Sequence, residues 1–205
     1  MSDVLIIDYG FCNLDSVFRA VQECGGKPKV SNDPAEASKA SKLILPGVGS
    51  FYEGIKAIRS MGWDEAILNE VNQGIPILGI CLGMQLMATK GYEGGEAEGL
   101  GLIPGQVRRF QTEDSSLSIP HVGWNEVQPV KPSAIFEGIP SGKDFYFVHS
   151  YHFSPDNSDK CLASTPYGGD FASVIGREHI VGTQFHPEKS LRTGIQLIRN
   201  FVTIF

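Results

Sequence analysis

Through the first half of the chain, short apolar runs alternate with stretches of helical periodicity. Val4-Leu5-Ile6-Ile7-Asp8 reads as a buried strand, and Tyr9-Gly10 turns out of it. Leu14, Val17, Phe18 and Val21 then share one helical face, with Asn13 as the expected N-cap and Gly25 as the stop. Lys29-Val30 begins a second strand, and Asp33-Pro34 offers N-cap and first helical position for a brief helix reaching Lys39. Leu43-Ile44-Leu45 forms a third strand that runs into Pro46-Gly47-Val48-Gly49-Ser50. Apolar spacing from Phe51 to Asn72 predicts one or two helices broken near Gly62, and Gly74 ends them before a fourth run, Ile75-Pro76-Ile77-Leu78. This β-α-β-α rhythm is that of a parallel sheet.

The texture changes in the second half. Gly91 to Gly105 is rich in Gly and Glu and predicts a surface loop. Beyond it, Val107–Phe110, Val122–Val127, Asp144–Val148, Cys161–Ser164, Phe171–Ile175 and Ile180–Phe185 are β-like runs separated by turn residues, some of them expected to pair antiparallel. Ser190 offers a cap for a last helix, where Leu191, Ile195, Ile198 and Val202 recur at helical spacing. The expected fold is therefore α/β in three layers: a central, mostly parallel sheet flanked by helices, with antiparallel strands in the second half. One domain over residues 1–205 accounts for a chain of this length.

The fourth apolar run leads directly into Gly79-Ile80-Cys81-Leu82-Gly83 and then Met84-Gln85-Leu86-Met87-Ala88. Strand, Gly-x-nucleophile-x-Gly and helix in that order form a nucleophile elbow, with Cys as the nucleophile. A turn this sharp strains its central residue and leaves the flanking positions little room for a Cβ. A Cys at a helix start is also placed where the anion is favoured, and the thiolate is the reactive form. The remaining cysteines, Cys12, Cys24 and Cys161, lie far apart with no C-x-x-C pair, so neither a disulfide framework nor a zinc site is expected and these three read as packing residues. Two glycines after the third strand, Gly47 and Gly49, permit backbone amides to point into a cavity at the C-terminal edge of the sheet.

A thiol nucleophile needs a base. Of the five histidines, His186 follows an apolar strand within Gln184-Phe185-His186-Pro187-Glu188. In extended chain, residues i and i+2 project to the same side, so Glu188 can hold the imidazole N–H of His186 and stabilise the imidazolium. Cys81, His186 and Glu188 thus form a candidate triad. His149, in Tyr146-Phe147-Val148-His149-Ser150-Tyr151-His152, has no adjacent acid and reads as a histidine that lines the site or the core. His121 and His179 lack even that context. The net charge of −6, with nothing basic clustered beyond Arg108-Arg109, argues against nucleic-acid or anionic-membrane surfaces. Met1-Ser2-Asp3 precedes the first strand with no basic n-region and no long apolar segment, so a cytoplasmic protein without signal peptide or membrane span is expected.

The elbow GICLGMQ and the later GTQFHPEKS resemble the class I (triad) glutamine amidotransferases, and the resemblance spans essentially the whole chain. DYGFCNLDSV, PGVGSF, PHVGWNEV and FYFVHSYHF are, as a set, similar to the glutaminase subunits of imidazole glycerol phosphate synthases of histidine biosynthesis. Cys12 departs from that pattern by standing where the family usually has Gly, and the Gly91 to Glu98 loop carries more Gly than is typical.

The resemblance implies that Cys81 attacks the side-chain amide of L-glutamine. Backbone N–H groups of Leu82 and of Gly47-Val48 would serve as oxyanion donors, and Gln85, Glu93, Ser150 and Tyr151 as substrate-binding residues. His186 would move the protons and Glu188 would orient it. It further implies no cofactor and no metal, and a separate (β/α)8-barrel cyclase subunit that receives the ammonia in a heterodimer. Two other enzyme readings stay open on residues alone: the glutaminase subunit of another amidotransferase, such as that of anthranilate or pyridoxal phosphate synthesis, and a stand-alone Cys hydrolase of related α/β type. A binding module that keeps the fold without the chemistry is the non-enzymatic alternative.

Overall fold

The structure is a computed structural model that describes residues 2–111 and 117–205. Its first half runs β1 (Asp3–Ile7), α1 (Leu14–Glu23), β2 (Lys27–Ser31), β3 (Lys42–Gly47), α2 (Phe51–Ser60), α3 (Trp63–Asn72), β4 (Ile77–Cys81) and α4 (Leu82–Leu86). The second half runs β5 (Lys90–Gly91), β6 (Ala97–Glu98), β7 (Gly105–Arg109), β8 (His121–Pro129), β9 (Lys143–His149), β10 (Tyr151–Pro155), β11 (Cys161–Pro166), β12 (Asp170–Arg177), β13 (Ile180–Thr183) and α5 (Leu191–Ile204). A nine-stranded sheet has the order β2-β1-β3-β4-β13-β12-β11-β8-β9. Its pairs are parallel from β2 through β13 and antiparallel from β13 through β9. The change of sense follows the change of texture read in the sequence.

Both faces of the parallel region are covered, which is why its strands are continuously apolar. Along β1, Leu5 and Ile7 pack on one side with Ile55, Ile58, Trp63 and Ile67 of α2 and α3. Val4 and Ile6, on the other, pack with Val17 and Val21 of α1 and with Leu197, Ile198 and Phe201 of α5. The alternation is the period-2 geometry of a strand buried twice.

A second, four-stranded sheet has the order β10-β7-β5-β6 and was not legible in the sequence. The Gly91 to Gly105 stretch, expected as a surface loop, supplies β6 and the start of β7, because Lys90 and Gly91 align with Gln106 and Val107 in parallel and with Glu98 and Ala97 in antiparallel. The apolar alternation from Tyr146 to Phe153 is divided between the two sheets at Ser150: β9 ends at His149 in the large sheet and β10 starts at Tyr151 in the small one. Of the expected caps, Asp33 accepts the Ala35 N–H at 3.0 Å, whereas Asn13 makes no capping bond. Ser190 does not cap α5 either; its hydroxyl donates to the His186 carbonyl at 2.6 Å and accepts the Tyr146 N–H at 3.0 Å, tying the candidate base to β9.

The elbow between β4 and α4 is the tightest point of the fold. Cys81 has φ 55° and ψ −109°, the strained geometry expected of the central residue. A Cβ on Gly83 would overlap the Leu45 carbonyl of β3, and one on Gly79 would lie 2.8 Å from the Gly83 carbonyl group. Gly83→Ala is therefore expected to destabilise by about 3 kcal/mol, since only backbone could move to make room. Gly74→Ala, at φ +92° with open space around the position, should cost about 1 kcal/mol. Urea unfolding of the two variants checks this, and equal costs would remove the packing explanation of the elbow glycines.

Candidate active site

Three neighbouring parallel strands end at one edge of the large sheet and deliver the candidate chemistry there. β4 ends at Cys81, β3 beside it ends at Gly47, which is aligned with Cys81, and β13 on the other side leads through Gln184-Phe185 to His186. They open into a cleft of about 520 Å³ lined by Cys81, Leu82, Gln85, Glu93, Ser150 and Tyr151 together with Val48, His149 and His186. Of the residues singled out in the sequence, only Gly47 and Glu188 are not in the lining. Gly47 is packed behind the cleft, where a Cβ would overlap the Tyr9 hydroxyl, and Glu188 lies behind His186.

His186 and Glu188 are almost completely buried, and His186 Nδ1 lies 2.8 Å from Glu188 Oε1. The expected His186–Glu188 contact forms, but across a tight helical turn at Pro187–Lys189 and not in the extended chain from which it was read. Burial pushes the His186 imidazole down, but the charge and hydrogen bonding of Cys81 and then those of Glu188 outweigh it and raise the ring to about 10. Both neighbours favour the protonated ring, with Nδ1 held by Glu188 while the buried Nε2 makes no hydrogen bond of its own. The N-terminus of α4 is a weaker influence than the sequence implied, because that helix is only five residues long. The other thiols are disfavoured as nucleophiles: burial pushes Cys12 up to about 11 and raises Cys24 and Cys161 too.

The Gly47-Val48 segment, expected to supply oxyanion donors, ends β3 beside Cys81. The Val48 N–H does not point at the cleft; it donates to the Phe11 carbonyl at 2.7 Å. Gly49, next in sequence, is at φ +107°. Gln85 lines the cleft, and its amide nitrogen donates to the Tyr151 carbonyl at 2.9 Å and to Gln184 Oε1 at 3.2 Å, so that half of the amide belongs to the cleft wall. The backbone carbonyl of Glu93 accepts the Tyr52 N–H, and burial raises the Glu93 carboxyl against a lowering hydrogen bond from the Phe51 backbone.

Three residues that matter to this geometry were missed in the sequence or assigned no role. Gln184, fully buried, turns its amide nitrogen to Cys81 Sγ at 3.9 Å. His121 and His149 face each other across the β8–β9 pair, Nδ1 to Nε2 at 3.1 Å. Burial lowers His121 to about 4 and is the main cause lowering His149 to about 3, so both are neutral near pH 7. The signal that could have found the pair is that PHVGWN and FVHS each place a His at a strand end, but their register is a tertiary fact.

A Cys at an elbow, an imidazole beside it and a buried carboxylate behind that ring are parts of acyl transfer from an amide. The sequence model of the family "Glutamine amidotransferase class-I" matches residues 5–205. The chain belongs to the class I glutamine amidotransferases. It is 42% identical to the imidazole glycerol phosphate synthase subunit HisH of Syntrophotalea carbinolica, over 97% of this chain and 98% of that one. It is 44% identical to HisH of Moorella thermoacetica, over 98% and 94%, and 45% identical to HisH 1 of Campylobacter jejuni strain RM1221, over 98% and 100%. Among solved structures, PurLQS from Thermotoga maritima superposes with TM-score 0.78 at 15% identity, over 100% of this chain and 99% of that one. A glutamine amidotransferase from Thermotoga maritima superposes with TM-score 0.66 at 21% identity, over 98% and 82%. These two likenesses show the amidotransferase fold.

The charge state of His186 gives a direct test. Its imidazole should keep its proton through neutral pH and lose it only as pH rises toward about 10. Cys81→Ala removes the largest raising influences and leaves burial opposed by Glu188 alone, so the titration midpoint should fall. Ring ¹⁵N shifts followed against pH measure both, and an unchanged midpoint in Cys81→Ala would contradict the Cys81–His186 pairing.

Proposed function

We propose that the chain is a glutaminase, folded as one domain over residues 1–205, that supplies ammonia to a separate cyclase subunit of imidazole glycerol phosphate synthase. The observation that carries the chemistry is the buried Glu188–His186 contact beside the elbow thiol. Full-length identity of 42% or more to HisH subunits supports the pathway assignment within the family.

The form that reacts is the one in which the single proton shared by Cys81 and His186 rests on the imidazole, so that no further base is needed. Cys81 sulfur attacks the side-chain amide carbon of L-glutamine, and the oxyanion that forms is met by the Leu82 N–H at the start of α4. Each such donor is worth about 3 kcal/mol in the transition state. The His186 imidazolium gives its proton to the departing nitrogen, releasing ammonia and leaving a glutamyl thioester. The neutral imidazole then takes a proton from water as that water attacks the thioester carbonyl, and glutamate leaves. Glu188 keeps the ring oriented through both halves. Glu93, Ser150, Tyr151 and the exposed half of the Gln85 amide hold the amino-acid end of the substrate. No step calls for a cofactor or a metal.

Free ammonia is mostly ammonium at neutral pH and a poor nucleophile, so it is useful only to an acceptor close by. Val122 and Val148 are cross-strand partners on β8 and β9, as are Trp124 and Tyr146. Val122, Trp124 and Val148 are exposed, and Val148 also lines the cleft. An apolar face at the mouth of the site supports docking of a (β/α)8-barrel cyclase there in a cytoplasmic heterodimer. No helix among the described residues is long and apolar enough to cross a membrane. The family chemistry then gives imidazole glycerol phosphate and an aminoimidazole carboxamide ribotide on the partner.

The second oxyanion donor is Val48. Its N–H is bonded to Phe11, which supports a resting state in the free chain, with the glycines on either side letting the peptide turn when a ligand-loaded partner docks. A preference of about 4 kcal/mol for the resting orientation would suppress turnover roughly a thousandfold.

Two measurements check these assignments. Cys81→Ser should abolish glutaminase activity in the complex, while Cys12→Ser, Cys24→Ser and Cys161→Ser retain most of it; an active Cys81→Ser enzyme would refute the nucleophile. The kcat for glutamine should rise from chain alone to complex to complex with cyclase ligand, and equal, high values in all three would eliminate the switch.

A further inference from the structure

With both rings neutral, the hydrogen-bond directions around His121 and His149 follow from the two ends of the chain of contacts, which are held by backbone groups. His149 Nδ1 lies 2.8 Å from the Tyr151 carbonyl oxygen, which can only accept, so Nδ1 carries the proton. In a neutral ring Nε2 is then an acceptor, and the group facing it at 3.1 Å, His121 Nδ1, must donate. That leaves His121 Nε2 as an acceptor for the Asn125 amide nitrogen at 3.3 Å. Asn125 is itself fixed: the same nitrogen donates to the Pro166 carbonyl at 3.0 Å, and its oxygen accepts the Glu126 N–H at 2.9 Å. Both imidazoles are thus in the Nδ1–H form, which each could exchange for the other tautomer only by setting two donors or two lone pairs face to face. Aromatic rings stack on His121 from Tyr167, with centroids 3.9 Å apart, and from Phe147, at 4.8 Å, so neither rotation nor a water relieves the pair.

The same Tyr151 carbonyl accepts the Gln85 amide nitrogen, which also donates to Gln184, whose own amide nitrogen is the one turned to Cys81. Directional bonds therefore run unbroken from Asn125 on β8 to the wall of the cleft. Neither histidine touches the reacting atoms, and neither is explained by apolar packing alone, since an unpaired ring nitrogen at these depths is costly.

We propose that Asn125, His121 and His149 are positioning residues that hold the Tyr151 carbonyl and, through it, Gln85 in the geometry that accepts glutamine. The relay begins beside exposed Trp124, so a displacement of β8 reaches the substrate pocket through bonds of fixed direction. The inference rests on the glutaminase reading for its substrate, but the tautomers on which it is built are independent of substrate.

The test has two parts. Ring ¹⁵N–¹H correlation spectra of the unaltered chain near pH 7 should show His121 and His149 both neutral and protonated at Nδ1. In the cyclase complex, His149→Asn keeps a donor where Nδ1 stood, whereas His149→Gln extends toward His121 and abandons Tyr151. The KM for glutamine should stay within about threefold for His149→Asn and rise about tenfold for His149→Gln, with kcat less affected in both. An Nε2–H tautomer on either ring would overturn the relay, whether or not either variant folds. So would equal KM values in the two variants, or a lower one for His149→Gln. Absence of glutaminase activity in the unaltered complex would remove the proposed function, and the role in glutamine binding with it, while the tautomers would still be read.

Discussion

Everything in the site depends on three adjacent parallel strands terminating at one sheet edge, with the middle one turning so sharply that backbone meets backbone. β4 can turn at Cys81 only because Gly83 lies against the Leu45 carbonyl with no Cβ between them. The turn lifts the thiol above the sheet with strained φ, and β3 and β13 then fall on either side of it without further design. One neighbour supplies the peptide segment Gly47-Val48 and the other supplies His186. Ligand sites at the carboxyl ends of parallel strands are a general property of open α/β sheets. In this chain the same edge carries Cys81 and His186.

Burial then sorts histidines of one chemical type into opposite states. His186 is desolvated, yet Cys81 and Glu188 beside it outweigh the burial and raise the ring to about 10. His149 and His121 are desolvated with only neutral partners and stay neutral. A cation at 186 is suited to giving up a proton to a leaving nitrogen; two neutral rings are suited to holding hydrogen bonds of fixed direction. The difference comes from neighbours supplied by distant segments, since all three rings are well buried.

What was legible in the sequence is what local geometry dictates. The elbow glycines, the strand before them and the His186-Pro187-Glu188 spacing are short-range constraints, and the structure realises each of them. The parallel half was readable because strands covered on both faces must be apolar throughout. The small sheet was not, since β5 and β6 are only two residues each and owe their form to β7 and not to their own Gly-rich sequence. Asn13 and Ser190 had capping chemistry, but Ser190 was drawn to a tertiary partner and Asn13 formed no capping bond. Gln184 and His121 carry no local signature, and His149 only that of a lining residue, because their significance lies in register across strands. The group that holds the Val48 N–H was equally invisible, as Phe11 is contributed by the turn after β1.

The central claim is that Cys81 forms a covalent glutamyl intermediate that His186 both helps to create and helps to resolve. Acid quench of the cyclase complex turning over isotopically labelled glutamine, followed by proteolysis and mass spectrometry, measures this most directly. The account predicts one labelled glutamyl group on the peptide bearing Cys81 and none on the peptides bearing Cys12, Cys24 or Cys161. Label on another cysteine, or ammonia release during turnover with no acyl group on any thiol, would contradict it.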